Sequence, residues 1–192
     1  MIIALSGLPR VGKDTAANAI KRAYPNVLTY AFVDPFKKAL CEIFGWSLSS
    51  FDDDSKDSID PYWGVSKRQM LEYVGTGIFR SDIRFKFPAF DKLIGDNIWV
   101  KRLDIFVKDR PNNDIIVTDL RFLPEYDYLK FAKKVYISRP NYIKLDTSKS
   151  YQIPFMKFDY ALENNSEGHV EEFENKAVEL FTIIKGEHKI EF

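Results

Sequence analysis

The sequence predicts an α/β fold in which helices flank a parallel sheet of about five strands. Three observations favour this class. An apolar, β-branched run at residues 1–6 leads through a glycine-bounded loop into a helical pattern. A further buried-strand run, residues 115–118, is followed directly by the acidic residue Asp119. Further strand-like runs then alternate with helical patterns, which is typical of parallel sheets whose crossover connections are helices.

Short apolar runs bounded by turn residues predict the strands, and apolar residues at helical spacing behind a capping residue predict the helices. In the first half of the chain these signals predict strand 1–6, helix 13–24, strand 27–32, helix 36–45 behind Asp34-Pro35, helix 66–75 behind Ser66 and helix 97–109. In the second half they predict strand 115–118, helix 122–132, strand 134–138, strand 159–164 and helix 170–184.

The loop at residues 7–15, with the sequence GLPRVGKDT, has the composition of a phosphate loop. Its glycines let the backbone curl so that successive N–H groups point into one concavity, and the following helix adds its positive N-terminal end. Lys13 supplies a mobile charge for the β- and γ-phosphates of a triphosphate. The usual pattern has Ser or Thr directly after the lysine as a Mg²⁺ ligand. Here Asp14 intervenes before Thr15, and which of the two supports the metal stays open.

The residue after the strand at 115–118 is a second candidate for chemistry. Parallel α/β sheets place their ligands at the carboxyl ends of the strands, where Asp119 lies. In proteins with a phosphate loop, such an aspartate holds Mg²⁺ directly or through water. Arg121 follows two residues later in the same loop, so the pair is expected to act together with the phosphate loop.

The middle of the chain carries groups suited to a second anion. Arg68 and Arg80 are the candidates for an acceptor phosphate, whereas Lys67 and Arg84 fit a solvated face. Trp99 is interpreted as a core residue or as a wall for base stacking. The acidic stretch at 51–60 is typical of a solvated loop, with a flap near a cationic substrate or metal as the alternative. Residues 140–158 have no clean period and fit either a lid or an ordinary surface excursion.

Composition limits the partners. The chain has 192 residues, and its 28 Lys and Arg balance its 28 Asp and Glu, so no net charge favours nucleic acid or an anionic membrane. One cysteine excludes an intrachain disulfide and is typical of a reducing compartment. No apolar run approaches the roughly 20 residues of a membrane span. We therefore expect a cytoplasmic protein, and its phosphate loop indicates that the partners are small-molecule nucleotides.

Five stretches resemble, in order, the bacteriophage-type deoxynucleoside monophosphate kinases. They are the GKDT ending of the phosphate loop, SKRQMLEYVGTGIFR at 66–80, IWV at 98–100, IIVTDLRFLPE at 115–125 and DYALENN at 159–165. The resemblance implies a three-layer P-loop kinase fold in a single domain, residues 1–192, with an acceptor segment at about 34–110 and a lid-like segment at about 140–158. It also implies ATP- and Mg²⁺-dependent phosphorylation of deoxynucleoside monophosphates to diphosphates, in the host cytoplasm if the protein is viral.

The resemblance maps the glycines, Lys13, Asp14 and Thr15 onto the phosphate loop, Arg68 and Arg80 onto the acceptor side, and Asp119 and Arg121 onto the motif after the strand. Together with the residue patterns above, it gives the expected contacts. The expected ATP contacts are Gly7, Arg10, Val11, Gly12, Lys13, Asp14, Thr15 and Arg139. The expected acceptor contacts are Arg68, Arg80, Trp99 and Arg121, and the expected catalytic residues are Lys13, Asp119 and Arg121. Magnesium is expected at Asp14, Thr15 and Asp119.

Two alternative functions remain at this point. GKD also occurs in the similar phosphomevalonate kinases, so another small-molecule kinase of this fold is one of them, and a non-catalytic nucleotide-binding module is the other. A regulatory GTPase is disfavoured, because the chain has no Asn-Lys-x-Asp-like motif for reading the base. The accepted bases, the choice between deoxyribose and ribose, and the oligomeric state, with a homodimer among the options, stay open.

Overall fold

The computed structural model describes residues 1–51, 54–140, 153, 157–165 and 169–190 of the chain. Contacts divide the chain into two compact units. The sheet unit comprises Met1–Ala31 and Asp104–Phe192, and the helical unit comprises Phe32–Leu103. Each is described by itself below, and the single domain expected for residues 1–192 stays a prediction.

The sheet unit contains a five-stranded sheet, and every pairing in it is parallel. The strands are β1 (Ile2–Ser6), β2 (Val27–Tyr30), β3 (Asp114–Val117), β4 (Lys133–Ser138) and β5 (Tyr160–Glu163). Their spatial order is β2-β3-β1-β4-β5, so the first strand is central and β3 and β4 flank it. The predicted fold class and the five predicted strands are confirmed, with ends that differ by one or two residues.

The α-helices, in chain order, are α1 (Lys13–Ala23), α2 (Asp34–Phe44), α3 (Lys67–Glu72), α4 (Ile83–Lys86), α5 (Pro88–Leu93), α6 (Ile98–Lys108), α7 (Leu123–Tyr128) and α8 (Val170–Ile190). The prediction of a helix over 122–132 was wrong in its length. Helix α7 ends at Tyr128, because Leu129 leaves the helical region with φ −80° and ψ 49° and β4 begins soon afterwards. Among the described helices, none is both long and apolar enough to cross a bilayer.

Helices α1 and α8 supply much of the core of the sheet unit. Phe173, Ala177, Phe181 and Ile184 of α8 are each at most 2% exposed and pack with Ile20 of α1 and the apolar side chains of the strands. Parallel strands that are covered on both faces have near-continuous apolar sequences. This burial fixes the carboxyl end of β1, from which the phosphate loop extends.

The helical unit has an aromatic core of its own. Phe36 and Leu40 of α2 are buried together with Trp46 and Phe51, and Trp99 packs against this cluster. The 3₁₀ turn Asp54–Asp57 lies within the acidic stretch 51–60 that was expected to be a loop, and a second 3₁₀ turn, Leu48–Phe51, ends where that stretch begins. The segment Tyr73–Asp82 is π-helical.

Ser66 caps α3 as predicted. Its side chain accepts a hydrogen bond from the N–H of Gln69, and the Gln69 side chain accepts one from the N–H of Ser66, which makes a reciprocal capping box.

Candidate active site at the carboxyl end of the central strand

The backbone of the phosphate loop requires glycine at two positions. Gly7 has φ 137° and Gly12 has φ 109°, which side chains rarely allow. A Cβ atom at Gly7 would lie 2.1 Å from the main-chain oxygen of Ile137, and one at Gly12 would lie 2.7 Å from Asn164 Nδ2. Arg10 also adopts a left-handed conformation, with φ 63°. This conformation costs a residue other than glycine about 1 kcal/mol, so Arg10 adopts it despite an unfavourable backbone energy.

Lys13 is the first residue of α1, and its side chain folds back over the loop. Its Nζ donates to the main-chain oxygens of Gly7 and Leu8, each over 2.7 Å. The residue is only 7% exposed, and burial lowers the pKa of its ammonium group to about 8. The charge of Arg121 acts in the same direction, whereas Asp14 and Asp119 oppose it. All three predicted partners of Lys13 therefore lie within electrostatic reach of its ammonium group.

A cavity of about 160 Å³ opens at this end of α1 and is lined by Arg10, Gly12, Lys13, Asp14 and Thr15. The lining brings together two cationic side chains, the N-terminus of a helix and two oxygen-bearing side chains. Helix N-termini and cationic side chains favour anions, and the oxygen groups suit a hard cation such as Mg²⁺. The cavity therefore has the chemistry of a site for phosphate groups with a bound metal.

The loop after β3 is hydrogen-bonded to β2 and β1, two other strands of the sheet. Thr118 N–H donates to the oxygen of Tyr30 at 3.0 Å, and Leu120 N–H donates to the oxygen of Leu5 at 3.2 Å. Ser6 Oγ, fully buried, donates to the oxygen of Leu120 over 2.6 Å. Asp119 lies between Thr118 and Leu120, so its backbone position is set by β2 and by β1, the strand that leads into the phosphate loop.

Glu125 holds the next part of the same loop. It is 1% exposed, and its Oε2 accepts hydrogen bonds from the N–H groups of Arg121 and Phe122 at 3.1 and 3.2 Å. Glu125 is the third residue of α7, where an acidic side chain caps the helix start. Sequence reasoning did not assign it a role. The signal that could have found it is the glutamate three residues after Phe122.

Asn164 was also missed. It follows β5 directly, is 6% exposed, and its Nδ2 donates to the main-chain oxygen of Val11 over 2.9 Å. Its own N–H donates to the oxygen of Ser138 over 2.8 Å. The only sequence signal was its place at the end of a strand. Of the remaining predicted ATP contacts, Val11 is buried, whereas Arg139 is exposed just beyond β4.

The predicted acceptor residues Arg68, Arg80 and Trp99 belong to the helical unit. Arg68 pairs with Asp57 and lies 3.9 Å from the carboxylate of Glu72. Trp99 packs in the aromatic core, with its ring centroid 6.0 Å from that of Phe36, as the core interpretation expected. Their part in acceptor binding stays a prediction.

The predicted lid-like segment and Asp52 and Asp53 of the acidic stretch lie largely or wholly outside the described residues. Asp60, at the end of that stretch, accepts a hydrogen bond from the indole Nε1 of Trp46 over 2.8 Å. This carboxylate is therefore engaged within the helical unit.

A parallel sheet of this order, with a phosphate loop and its lysine between the central strand and the first helix, defines the P-loop kinase fold. Among solved structures, shikimate kinase from Aquifex aeolicus superposes with a TM-score of 0.51 at 17% identity and 98% coverage of both chains, which supports the fold alone. Shikimate kinase from Bacteroides thetaiotaomicron gives a TM-score of 0.48 at 12% identity. No protein-family model matches the chain.

A curated protein of Acanthamoeba polyphaga mimivirus, named "Putative deoxynucleotide monophosphate kinase", is 30% identical over 188 residues, which cover 93% of this chain and 94% of the viral one. The chain belongs to this family, the deoxynucleotide monophosphate kinases, and is a kinase. The family predicted from the motifs is confirmed. A bacteriophage origin stays a prediction.

Proposed function

We propose that the protein transfers the γ-phosphoryl group of ATP, with Mg²⁺, to a deoxynucleoside monophosphate and forms the diphosphate. The observation that carries the reaction type is the phosphate loop, with Lys13 in the lining of the cavity and Asp119 and Arg121 within electrostatic reach of this lysine. The acceptor class is supported by the name of the viral relative.

The residues of the chain act mainly by alignment and by neutralising charge. In phosphoryl transfer little covalent chemistry falls to the protein, because the reaction is accelerated by positioning and by electrostatic stabilisation. An acceptor phosphate oxygen is already ionised near neutral pH, so no general base is required. Lys13 would exchange a carbonyl contact for the phosphates of ATP, and Arg121 would stabilise the charge on the group in transfer.

The donor set fits magnesium. Asp14 and Asp119 supply carboxylates and Thr15 supplies a hydroxyl, and Mg²⁺ prefers such hard oxygen ligands together with water and substrate phosphates. Among the described residues, no group of three or more His, Cys, Asp or Glu side chains is arranged to hold a metal. When bound, Mg²⁺ would neutralise charge on the β- and γ-phosphates. Which of Asp14 and Thr15 supports it is left open.

The acceptor class is tested with purified protein, ATP and Mg²⁺ against four deoxynucleoside monophosphates, their ribose counterparts and phosphomevalonate. The diphosphate products are separated by chromatography. We expect at least one deoxynucleoside monophosphate to be converted. If all four fail while phosphomevalonate is phosphorylated, the acceptor is wrong and the kinase class survives. Failure with every acceptor, with ATP still bound, would favour a nucleotide-binding module.

Arg68 provides a second test of the acceptor, because a guanidinium that binds the acceptor phosphate affects that substrate alone. Arg68→Ala should raise KM for the monophosphate about tenfold or more while KM for ATP changes little. Arg84→Ala is the matched control, since Arg84 pairs with Asp91 in the same unit and was assigned to a solvated face. Equal effects of the two variants would remove Arg68 from the acceptor site.

A further inference from the structure

A buried amide side chain connects the end of β5 to the phosphate loop. Asn164 Nδ2 donates over 2.9 Å to the main-chain oxygen of Val11, a residue 153 positions earlier. Asn164 is itself held in place, because its backbone N–H donates to the oxygen of Ser138 at the end of β4. The hydrogen bond therefore connects one peptide group of the loop to the end of the sheet and restricts its movement.

That peptide group joins Val11 to Gly12 and is trans. In a trans peptide the C=O and N–H bonds lie in the peptide plane and point in opposite directions. Because the carbonyl is held towards Asn164, the N–H of Gly12 is directed away from Asn164. Gly12 lines the cavity of about 160 Å³ together with Lys13. The orientation of this peptide thus determines whether its N–H or its carbonyl oxygen faces an anion bound in the cavity.

The packing around Gly12 opposes any rotation of this peptide. A Cβ atom there would lie 2.7 Å from Asn164 Nδ2 and 2.9 Å from Cε1 of Phe173, a residue of α8 that is 2% exposed. The loop is thus packed against Asn164 and Phe173 at this point, and little free space remains for the peptide to turn over.

We infer that Asn164 is a positioning residue for the phosphate loop, which it orients so that the Gly12 N–H donates to a phosphate of the bound nucleotide. Loss of the amide donor leaves the buried carbonyl of Val11 unsatisfied and favours rotation of the peptide, which turns an acceptor towards the anion. The inference rests on the proposed ATP site. It concerns binding of ATP, the phosphate donor, so binding of the acceptor monophosphate should be unaffected.

The test compares MgADP binding by isothermal titration calorimetry in wild type, Asn164→Asp and Asn164→Leu. Asp keeps the shape and removes the donor, and Leu removes the donor without adding charge. Both variants should bind MgADP about tenfold to a hundredfold more weakly, the range for one hydrogen bond to a charged group. KM for ATP should rise in proportion, whereas KM for the monophosphate should stay at the wild-type value.

Asn165→Asp is the matched control, because Asn165 is the next residue, is exposed, and gains the same negative charge in this variant. It should bind MgADP as wild type does. The melting temperature of each variant without nucleotide is measured in parallel. A merely structural role would lower that temperature and leave the affinity of the folded protein for MgADP unchanged. Asn164→Ser, a smaller change, replaces either variant that fails to fold.

Two results overturn the inference. One is a folded Asn164→Leu protein with wild-type affinity for MgADP, and the other is equal weakening in Asn164→Asp and Asn165→Asp, which would assign the effect to charge alone. Absence of ATP and MgADP binding in the wild type would instead refute the proposed function, and the inference with it. The two failures are therefore distinguishable.

Discussion

Lys13 keeps a positive charge in surroundings that oppose it. The side chain is 7% exposed, and burial together with Arg121 lowers the pKa of its ammonium group to about 8. Two main-chain oxygens accept its hydrogen bonds, yet they carry only partial charge. The carboxylates of Asp14 and Asp119 oppose this shift only in part, and the phosphates of a nucleotide would supply further negative charge.

The pKa of about 8 for Lys13 predicts how ATP binding depends on pH. Below it Lys13 is charged and binds ATP, whereas above it the free protein loses the proton, so ATP affinity should fall as the pH rises through 8. Binding should also take up a proton at this pH, because the phosphates raise the pKa of the bound lysine. Calorimetry in two buffers of different ionisation enthalpy measures this uptake.

Lys13→Arg is the control for this prediction, since an arginine stays charged throughout the range. Its ATP affinity should show no such decline above pH 8. Constant affinity of the wild type from pH 7 to 10, without proton uptake, would contradict the assignment of Lys13 to the phosphates.

Gly7 illustrates how closely the loop approaches the sheet. Gly7→Ala should lower the free energy of unfolding by roughly 3 kcal/mol or more, because it adds a collision with the Ile137 oxygen to the cost of a positive φ. Gly45→Ala is the control, since Gly45 has φ 68° with open space around it and should cost only about 1–2 kcal/mol. Equal losses in chemical denaturation would show that contact with the sheet is unimportant.

At the level of elements, α7 begins with a cap that also sets the loop carrying Arg121. Glu125→Ala should lower the free energy of unfolding by about 1–3 kcal/mol, because two N–H groups lose a buried acceptor. It should also reduce kcat, since the loop holding Asp119 and Arg121 is no longer fixed. Denaturation curves and steady-state kinetics measure both effects.

Glu125→Gln is the conservative variant, because it retains one acceptor oxygen and should keep most of the stability and of kcat. If Glu125→Ala matched wild type in both properties, the cap would have no part in setting this loop. If instead Gln were as damaging as Ala, the negative charge of Glu125, rather than its role as an acceptor, would be what the site requires.

At the scale of the whole molecule, the sequence allowed the middle of the sheet to be predicted because β1 and β3 are buried on both faces. Residues 115–117 therefore form a continuous apolar run within the predicted strand 115–118, and Asp119 directly after this strand is recognisable as a candidate site residue. The phosphate loop could also be predicted from the sequence, since Gly7 and Gly12 occupy backbone conformations that favour glycine.

Roles that depend on distant contacts could not be predicted in this way. Asn164 acts on Val11 across 153 residues, and no periodicity reports such a pair. Glu125 is a local cap, but its significance depends on Arg121, whose place in the site is fixed by the sheet. The helix Pro88–Leu93 and the π-helical segment Tyr73–Asp82 carry weak sequence signals, because they are short or depart from the 3.6-residue period.

The most direct test of the central claim follows the γ-phosphoryl group itself. Wild-type protein with Mg²⁺ and ATP labelled in the γ-position should transfer the label to a deoxynucleoside monophosphate and form a labelled diphosphate. Lys13→Ala, shown by its melting curve to be folded, should do so about 10²–10³-fold more slowly or worse. No labelled diphosphate from the wild type with any deoxynucleoside monophosphate, or wild-type transfer by folded Lys13→Ala, would contradict the account.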